Sequence, residues 1–318
     1  MALLEVEGLR TYFDTMYGMV RAVDDVSFSV EKGEAFGLAG ESGSGKTTAA
    51  LSIMRLIKPP GRILNGRVLF EGENLLEKTP SEMDEIRWKR ISMIFQGAMN
   101  ALNPVYKIGD QIVEAIVHHE RTPKEEALTH ARELLRIVGI DESRVDNYPH
   151  EFSGGMKQRA MIAMALALNP DLVIADEPTT ALDVIIQRQI IDLINGLRRN
   201  LNLSLILITH DLSVIMELCE KVGIFYAGKL VEVTDTRTLL DDPLHPYSRG
   251  LVQAFPTIDG VKERLTAIEG SPPSLIDPPS GCRFHPRCPR ATDVCRKVEP
   301  ELVEVEPGHR HVACHNVG

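Results

Sequence analysis

The chain has 318 residues, 43% of them hydrophobic and 25% charged, enough for one large α/β domain with an appendage or for two modest domains. A formal net charge of -10 argues against a nucleic-acid-coating surface, which is normally strongly basic. The most apolar stretch, Met161–Leu168, stops at Asn169-Pro170-Asp171, far short of the roughly 20 residues that cross a bilayer. The start, MALLEVEGLR, lacks the basic and apolar regions of a secretory signal, so none is expected, and service at a membrane would require partner subunits.

Residues 3–8, 26–30 and 67–71 read as short strands of a small antiparallel layer. Glu34–Ala39 is a strand that runs into a glycine-rich loop, and a helical pattern follows over 46–57. Residues 100–168 look mainly helical. Thr122-Pro123-Lys124-Glu125 has the form of a capping box, and Leu128, Ala131, Leu134, Leu135 and Val138 then mark one apolar helix face. Apolar strands at 172–175 and 203–208 flank a helix over 184–199, a spacing that implies a parallel sheet buried on both faces. A strand at 222–226 turns at Gly228 into another at 230–233. Beyond about residue 240 prolines accumulate and periodicity fades, which places a boundary there and predicts an irregular C-terminal appendage.

Residues 40–47, GESGSGKT, fit G-x4-G-K-[S/T] between a strand and a helix. Gly40, Gly43 and Gly45 let the backbone, with Ser42, wrap phosphate oxygens with its N–H groups, and the helix beginning near Lys46 adds its positive end. Lys46 should reach the β- and γ-phosphates, the Thr47 hydroxyl should bind Mg2+, and Thr48 extends the site. The buried strand 172–175 ends in Asp176-Glu177: Asp176 is suited to the Mg2+ site and Glu177 to polarising an attacking water.

Between these motifs stands Phe152-Ser153-Gly154-Gly155-Met156-Lys157-Gln158, which resembles the L-S-G-G-Q signature of ATP-binding-cassette ATPases, with Phe152 and Met156 departing from the usual Leu and Gln. The other family elements stand in order: Gln96 matches the Q-loop, Ala181-Leu182-Asp183 the D-loop, His210 the switch histidine, and Phe13 (with Tyr12 as the alternative) the aromatic that stacks on adenine. The resemblance implies an ABC-type P-loop α/β fold: a mostly parallel sheet core, a small antiparallel β layer, a helical subdomain at about 97–168 and a Cys-containing C-terminal appendage. The nucleotide-binding domain is expected over 1–240 and the C-terminal region over 241–318. The resemblance further implies ATP hydrolysis by Glu177 and His210 with Gln96, which also binds Mg2+. Ser153, Gly154, Gly155, Gln158 and Asp183 would meet ATP held by a second ABC ATPase, a paralogue or another copy.

Met93-Ile94-Phe95-Gln96, Ala101-Leu102-Asn103-Pro104, Gly154–Arg159 and Leu244-His245-Pro246-Tyr247 resemble the ATPase subunits of dipeptide and oligopeptide importers. That implies a place at the cytoplasmic face of the cell membrane, two transmembrane permeases, an extracytoplasmic solute-binding protein and no nucleic-acid partner. Importers of oligosaccharides and of nickel share the subfamily, and a soluble non-transport ABC ATPase is the remaining alternative.

Cys282, Cys288, Cys295 and Cys314 crowd the C-terminus. Four thiolates can hold zinc or an iron–sulfur cluster, and the spacing lacks the close C-x(2–4)-C pairs of common structural zinc. The segment resembles the C-terminal cluster region of some peptide-importer ATPases, which implies a [4Fe–4S] centre; His285, His309, His311 and His315 are alternative ligands that would favour zinc. Cys219 reads as a buried small hydrophobe.

Overall fold

A computed structural model describes residues 2–97, 101–254, 268–308 and 310–317. The chain divides into two compact units, one of residues 1–31, 35–76 and 208–318, the other of 32–34 and 77–207.

In the first unit, β1 (Ala2–Thr15) and β2 (Gly18–Glu31) form a long antiparallel hairpin. Along β2, Val26, Phe28 and Val30 are buried while Asp25, Ser27, Ser29 and Glu31 face outward, the period-two pattern of a strand with one wet face. β4 (Gly61–Phe70) pairs with β1, and β5 (Glu73–Asn74) completes a four-stranded antiparallel sheet in the order β2-β1-β4-β5. The strands are longer than the apolar cores at 3–8, 26–30 and 67–71: Leu9, Thr11, Ala22, Val23 and Asp24 are buried beyond those cores, and the far end of the hairpin is exposed.

β3 (Ala35–Ala39) is fully buried and pairs in parallel with β9 (Lys221–Tyr226). β10 (Lys229–Asp235) turns back antiparallel on β9 through Ala227-Gly228, both at positive φ. The helix after β3 runs over Lys46–Ile53, shorter than 46–57, and buries Ala49, Ala50 and Ile53. Its Ser52 hydroxyl meets that of Thr11 on β1 at 2.7 Å in a buried pair.

The described residues beyond 240 are more ordered than the proline content indicates. They contain the helix Pro246–Gln253 and a short helix at Asp293–Lys297. β12 (Arg310–Val312) pairs antiparallel with β10 through Glu232↔Val312, and β11 (Val303–Glu306) pairs with β12. The anchor is Arg310, 1% exposed, whose guanidinium donates to Glu232, itself fully buried. Arg310 also pairs with Asp242 and Glu306, and these ion pairs stand in place of the apolar periodicity that would have announced a strand.

In the second unit, β6 (Ile91–Ile94) pairs in parallel with β7 (Leu172–Asp176), and β8 (Ser204–Ile208) lies on the other side of β7. Helices Ile108–Glu120, Lys124–Ile137 and Gly154–Ala165 fill the region expected to be helical, with Ala131, Leu134, Leu135 and Val138 buried and Leu128 partly so. The capping box at Thr122 is not formed. The helix starts one residue later than that motif requires, so Pro123 occupies the cap position and no side chain caps it. A capping box does form at Thr79 and Glu82, where both reciprocal bonds of the helix Pro80–Ile86 are present.

Candidate nucleotide site

The phosphate loop takes its shape from close backbone approaches. Gly40 has φ +146°, and a Cβ there would stand 2.1 Å from the Phe225 carbonyl oxygen of β9. Gly45, at φ +112°, approaches the Ala22 carbonyl on β2 as closely. Gly43 (φ +76°) is different, because its missing Cβ faces open space. The loop is thus pressed against two strands at its ends and open at its middle, as a cradle for a ligand must be.

Lys46 is 5% exposed and folds back into this loop, its ammonium donating to the Gly40 and Glu41 carbonyls at 2.8 and 2.9 Å and to Ser44 Oγ at 3.3 Å. Those acceptors are where phosphate oxygens would compete for the same cation. Ser42 is exposed, and Thr47 and Thr48 are partly exposed in the first turn of the helix. Phe13 on β1 packs on Gly61, which has no room for a Cβ beneath the ring. Tyr12 is otherwise engaged: its hydroxyl donates to Asp24 at 2.6 Å, and burial together with that carboxylate pushes its pKa up to about 12. Thr209 N–H donates to the Leu38 carbonyl, two residues before Gly40, tying the segment that carries exposed His210 to the strand entering the loop.

In the other unit, register explains a second contact. Ile94 of β6 lies opposite Ala175 of parallel β7, so the residues two further on, Gln96 and Glu177, leave the sheet together. Gln96 Nε2 donates to Glu177 Oε2 at 2.9 Å, and Thr180 Oγ1 donates to the same oxygen at 2.7 Å. Glu177 sits at φ +45° while Asp176 before it is 1% exposed. Ser153 caps the helix Gly154–Ala165, its Oγ accepting from Met156 N–H, and Asp183 caps the helix Val184–Leu201 by accepting from Ile186 N–H. Gly155 is buried where a Cβ would collide with Ile186, and the amide nitrogen of buried Gln158 has no hydrogen-bond partner among the described residues.

A family model described as ABC transporter matches residues 23–180, and one described as oligopeptide/dipeptide transporter, C-terminal region, matches 231–295. The oligopeptide transport ATP-binding protein AppD of Bacillus subtilis (strain 168) is 47% identical over 98% of this chain and 96% of its own length. The dipeptide transport ATP-binding protein DppD of Escherichia coli (strain K12) is 46% identical over 99% and 97%. The chain belongs to the ABC transporter ATP-binding proteins. Among solved structures, the ADP- and Pi-bound dimer of the ATP-binding cassette MJ0796 superposes on this ABC ATPase with a TM-score of 0.66 at 26% identity, covering 74% of this chain and 99% of that one.

The four C-terminal cysteines of this ABC ATPase influence one another. Burial pushes the Cys282 thiol up to about 11, and the sulfurs of Cys295, Cys314 and Cys288 add to the shift. The Asn316 N–H donates to Cys314 Sγ at 3.4 Å. Cys295 Sγ lies 3.2 Å from Thr292 Oγ1. Even so, among the described residues no three His, Cys, Asp or Glu side chains are arranged to hold a metal ion. His285 Nδ1 bonds the Cys282 carbonyl and His315 Nε2 the Val298 carbonyl; His309 lies outside the described residues. Cys219 is buried, as expected of a small hydrophobe.

The residues that sequence reasoning passed over are Glu41, Thr180, Tyr247 and Arg287. Thr180 stood within three positions of Glu177 and was recoverable as a local side-chain partner. Arg287 meets Glu41 across 246 residues, with no local signal.

Proposed function

We propose that this ABC ATPase is the ATP-hydrolysing motor of an importer of dipeptides or oligopeptides. The observation that carries the catalytic part is the Glu177 carboxylate, held by Gln96 and Thr180 at the end of a buried strand. In this reading Phe13 stacks on adenine, and residues 40–48 with Lys46 hold the phosphates. Mg2+ has hard oxygen donors available in Thr47, Gln96 and Asp176, and when bound it neutralises phosphate charge. Glu177 takes the proton of a water aligned with the γ-phosphate, His210 steadies the developing charge, and ADP and phosphate separate.

The capped helix beginning at Gly154 provides a second anion site, and Ser153, Gly154, Gly155, Gln158 and Asp183 serve the nucleotide of a partner ATPase. Peptide as cargo is supported by the names of the relatives and by the match of residues 231–295. Among the described residues no helix is long and apolar enough to cross a membrane, which supports a peripheral place on two permeases at the cytoplasmic face, with a solute-binding protein delivering peptide. Residues 1–240 act as the nucleotide-binding domain and 241–318 as the C-terminal region.

For the four cysteines we read a [4Fe–4S] cluster. The spacing of Cys282, Cys288, Cys295 and Cys314 lacks the close C-x(2–4)-C pairs of common structural zinc. A cluster is bound by thiolates, and the Asn316 N–H that donates to Cys314 Sγ suits that charge. Iron and acid-labile sulfide in equal amounts, with a visible charge-transfer band, are expected after anaerobic purification; zinc alone would overturn the assignment.

The test of the whole reading is capture from native membranes by tagged Glu177→Gln protein with ATP. Two multi-span permeases, a second cassette ATPase and a peptide-binding protein are expected. Ribosomal or repair proteins alone would overturn the transport reading and leave the ATPase standing.

A further inference from the structure

Glu41, the second residue of the phosphate loop, is held by the C-terminal region from two directions. Its backbone N–H donates to the hydroxyl of Tyr247 at 2.9 Å. Its carboxylate receives both arms of Arg287, Nη1 to Oε2 at 2.8 Å and Nη2 to Oε1 at 3.0 Å. A two-pronged guanidinium–carboxylate pair fixes direction as well as distance, which a single hydrogen bond does not.

Neither anchor is loose. The Arg287 side chain is 6% exposed; its Nε donates to the Glu269 carbonyl at 2.9 Å, its Nη1 also reaches Tyr226 Oη at 3.3 Å, and its guanidinium carbon lies 5.7 Å from the Tyr226 ring centre. Tyr247 is fully buried, with its N–H on His245 Nδ1, and the Leu244 and His245 N–H groups are bound by the two oxygens of Glu232. Glu232 is in turn paired with Arg310. A chain of buried polar contacts therefore runs from β12 to the entrance of the loop, and Lys46 binds the carbonyl of the same Glu41.

We propose that Arg287, assisted by Tyr247, is a positioning residue for nucleotide binding. It holds Glu41 so that the loop amides and Lys46 keep the orientation that receives phosphate. Arg287 touches no nucleotide and acts only through Glu41, which gives the C-terminal region a direct hold on ATP affinity. This rests on the reading of residues 40–47 as the ATP phosphate loop.

The experiment measures equilibrium ATP binding, steady-state ATPase kinetics and thermal unfolding for the full chain and for Arg287→Ala, Glu41→Gln, the double variant and Lys46→Ala. Each single variant at the pair is expected to weaken ATP binding about tenfold, the scale of one lost charge-assisted hydrogen bond. KM should rise by more than kcat falls, and the double variant should bind no worse than the poorer single, because both remove the same contact. Affinity within about twofold of the parent, or losses that multiply in the double variant, overturns the proposal. If Arg287→Ala does not fold, Glu41→Gln, which keeps the shape and removes the charge, decides alone. Lys46→Ala separates the two failures. Unchanged ATP binding there would sink the phosphate-loop reading, whereas lost binding there beside normal binding in the pair variants would sink only the positioning role.

Discussion

Gly40→Ala is the substitution whose consequence follows most directly from distances. The added Cβ would stand 2.1 Å from the Phe225 carbonyl oxygen, with φ at +146°. Side-chain carbons do not approach an oxygen closer than about 3 Å in close-packed interiors, so the backbone must give by about 1 Å. β9 is held between β3 and β10 and cannot supply that movement, so the loop entrance moves instead. A displacement of that size at a binding element costs on the order of 100-fold in kcat/KM. Strain at the disfavoured φ adds about 1–3 kcal/mol of destabilisation. Gly72→Ala is the control: it too has positive φ (+84°), but nothing lies within 4 Å of its Cβ, and the turn belongs to β4 and β5. It should lose about 1 kcal/mol of stability and leave ATP turnover unaltered. The assay is kcat/KM for ATP beside thermal unfolding of each variant. A folded Gly40→Ala protein turning over ATP within about threefold of the parent would refute the link between that contact and the loop's function.

Arg310→Ala leaves the Glu232 carboxylate buried without its cation and should cost about 3–5 kcal/mol, read by denaturant unfolding. Glu232→Gln combined with Arg310→Met should recover only part of that loss: no buried charge is then unpaired, but the Gln amide nitrogen faces one of the two N–H groups that Glu232 accepted. His245 is fully buried and burial alone holds its pKa at about 3. Its folded value lies below the unfolded one, so its contribution to stability is intact above about pH 6.5 and declines as pH falls, by at most about 1.4 kcal/mol per unit, until about pH 3. His245→Asn keeps an acceptor for Tyr247 N–H and should remove that part of the acid sensitivity in a pH series of unfolding curves.

The nucleotide machinery was legible in the sequence because each part is a local pattern with a fixed backbone job. Gly40, Gly43 and Gly45 are read as letting the backbone wrap a phosphate, and all three have the positive φ that glycine allows. Ser153, a serine directly before a helical run, caps that helix. The contact between Gln96 and Glu177 needed more, since β6 is only four residues, all buried, and gives no strand signal that a buried helix would lack. Only the parallel register of β6 and β7 places those two residues together. The C-terminal region was the least legible. Its order comes from Arg310 on Glu232, Arg283 on Asp24 and Arg287 on Glu41, contacts spanning 78 to 259 residues that local periodicity cannot report. Thr122 failed as a cap for the opposite reason: the pattern was present, but the helix began one residue beyond it.

If Glu177 of this chain drives peptide import through ATP hydrolysis, uptake will show it. Vesicles holding the assembled transporter, with its binding protein and a labelled oligopeptide, would be supplied with ATP, and accumulation followed for the parent chain and for Glu177→Gln. ATP-dependent peptide accumulation is expected with the parent, and ATP bound but neither hydrolysed nor coupled to accumulation with Glu177→Gln. Peptide accumulation at the parent rate by Glu177→Gln would contradict it.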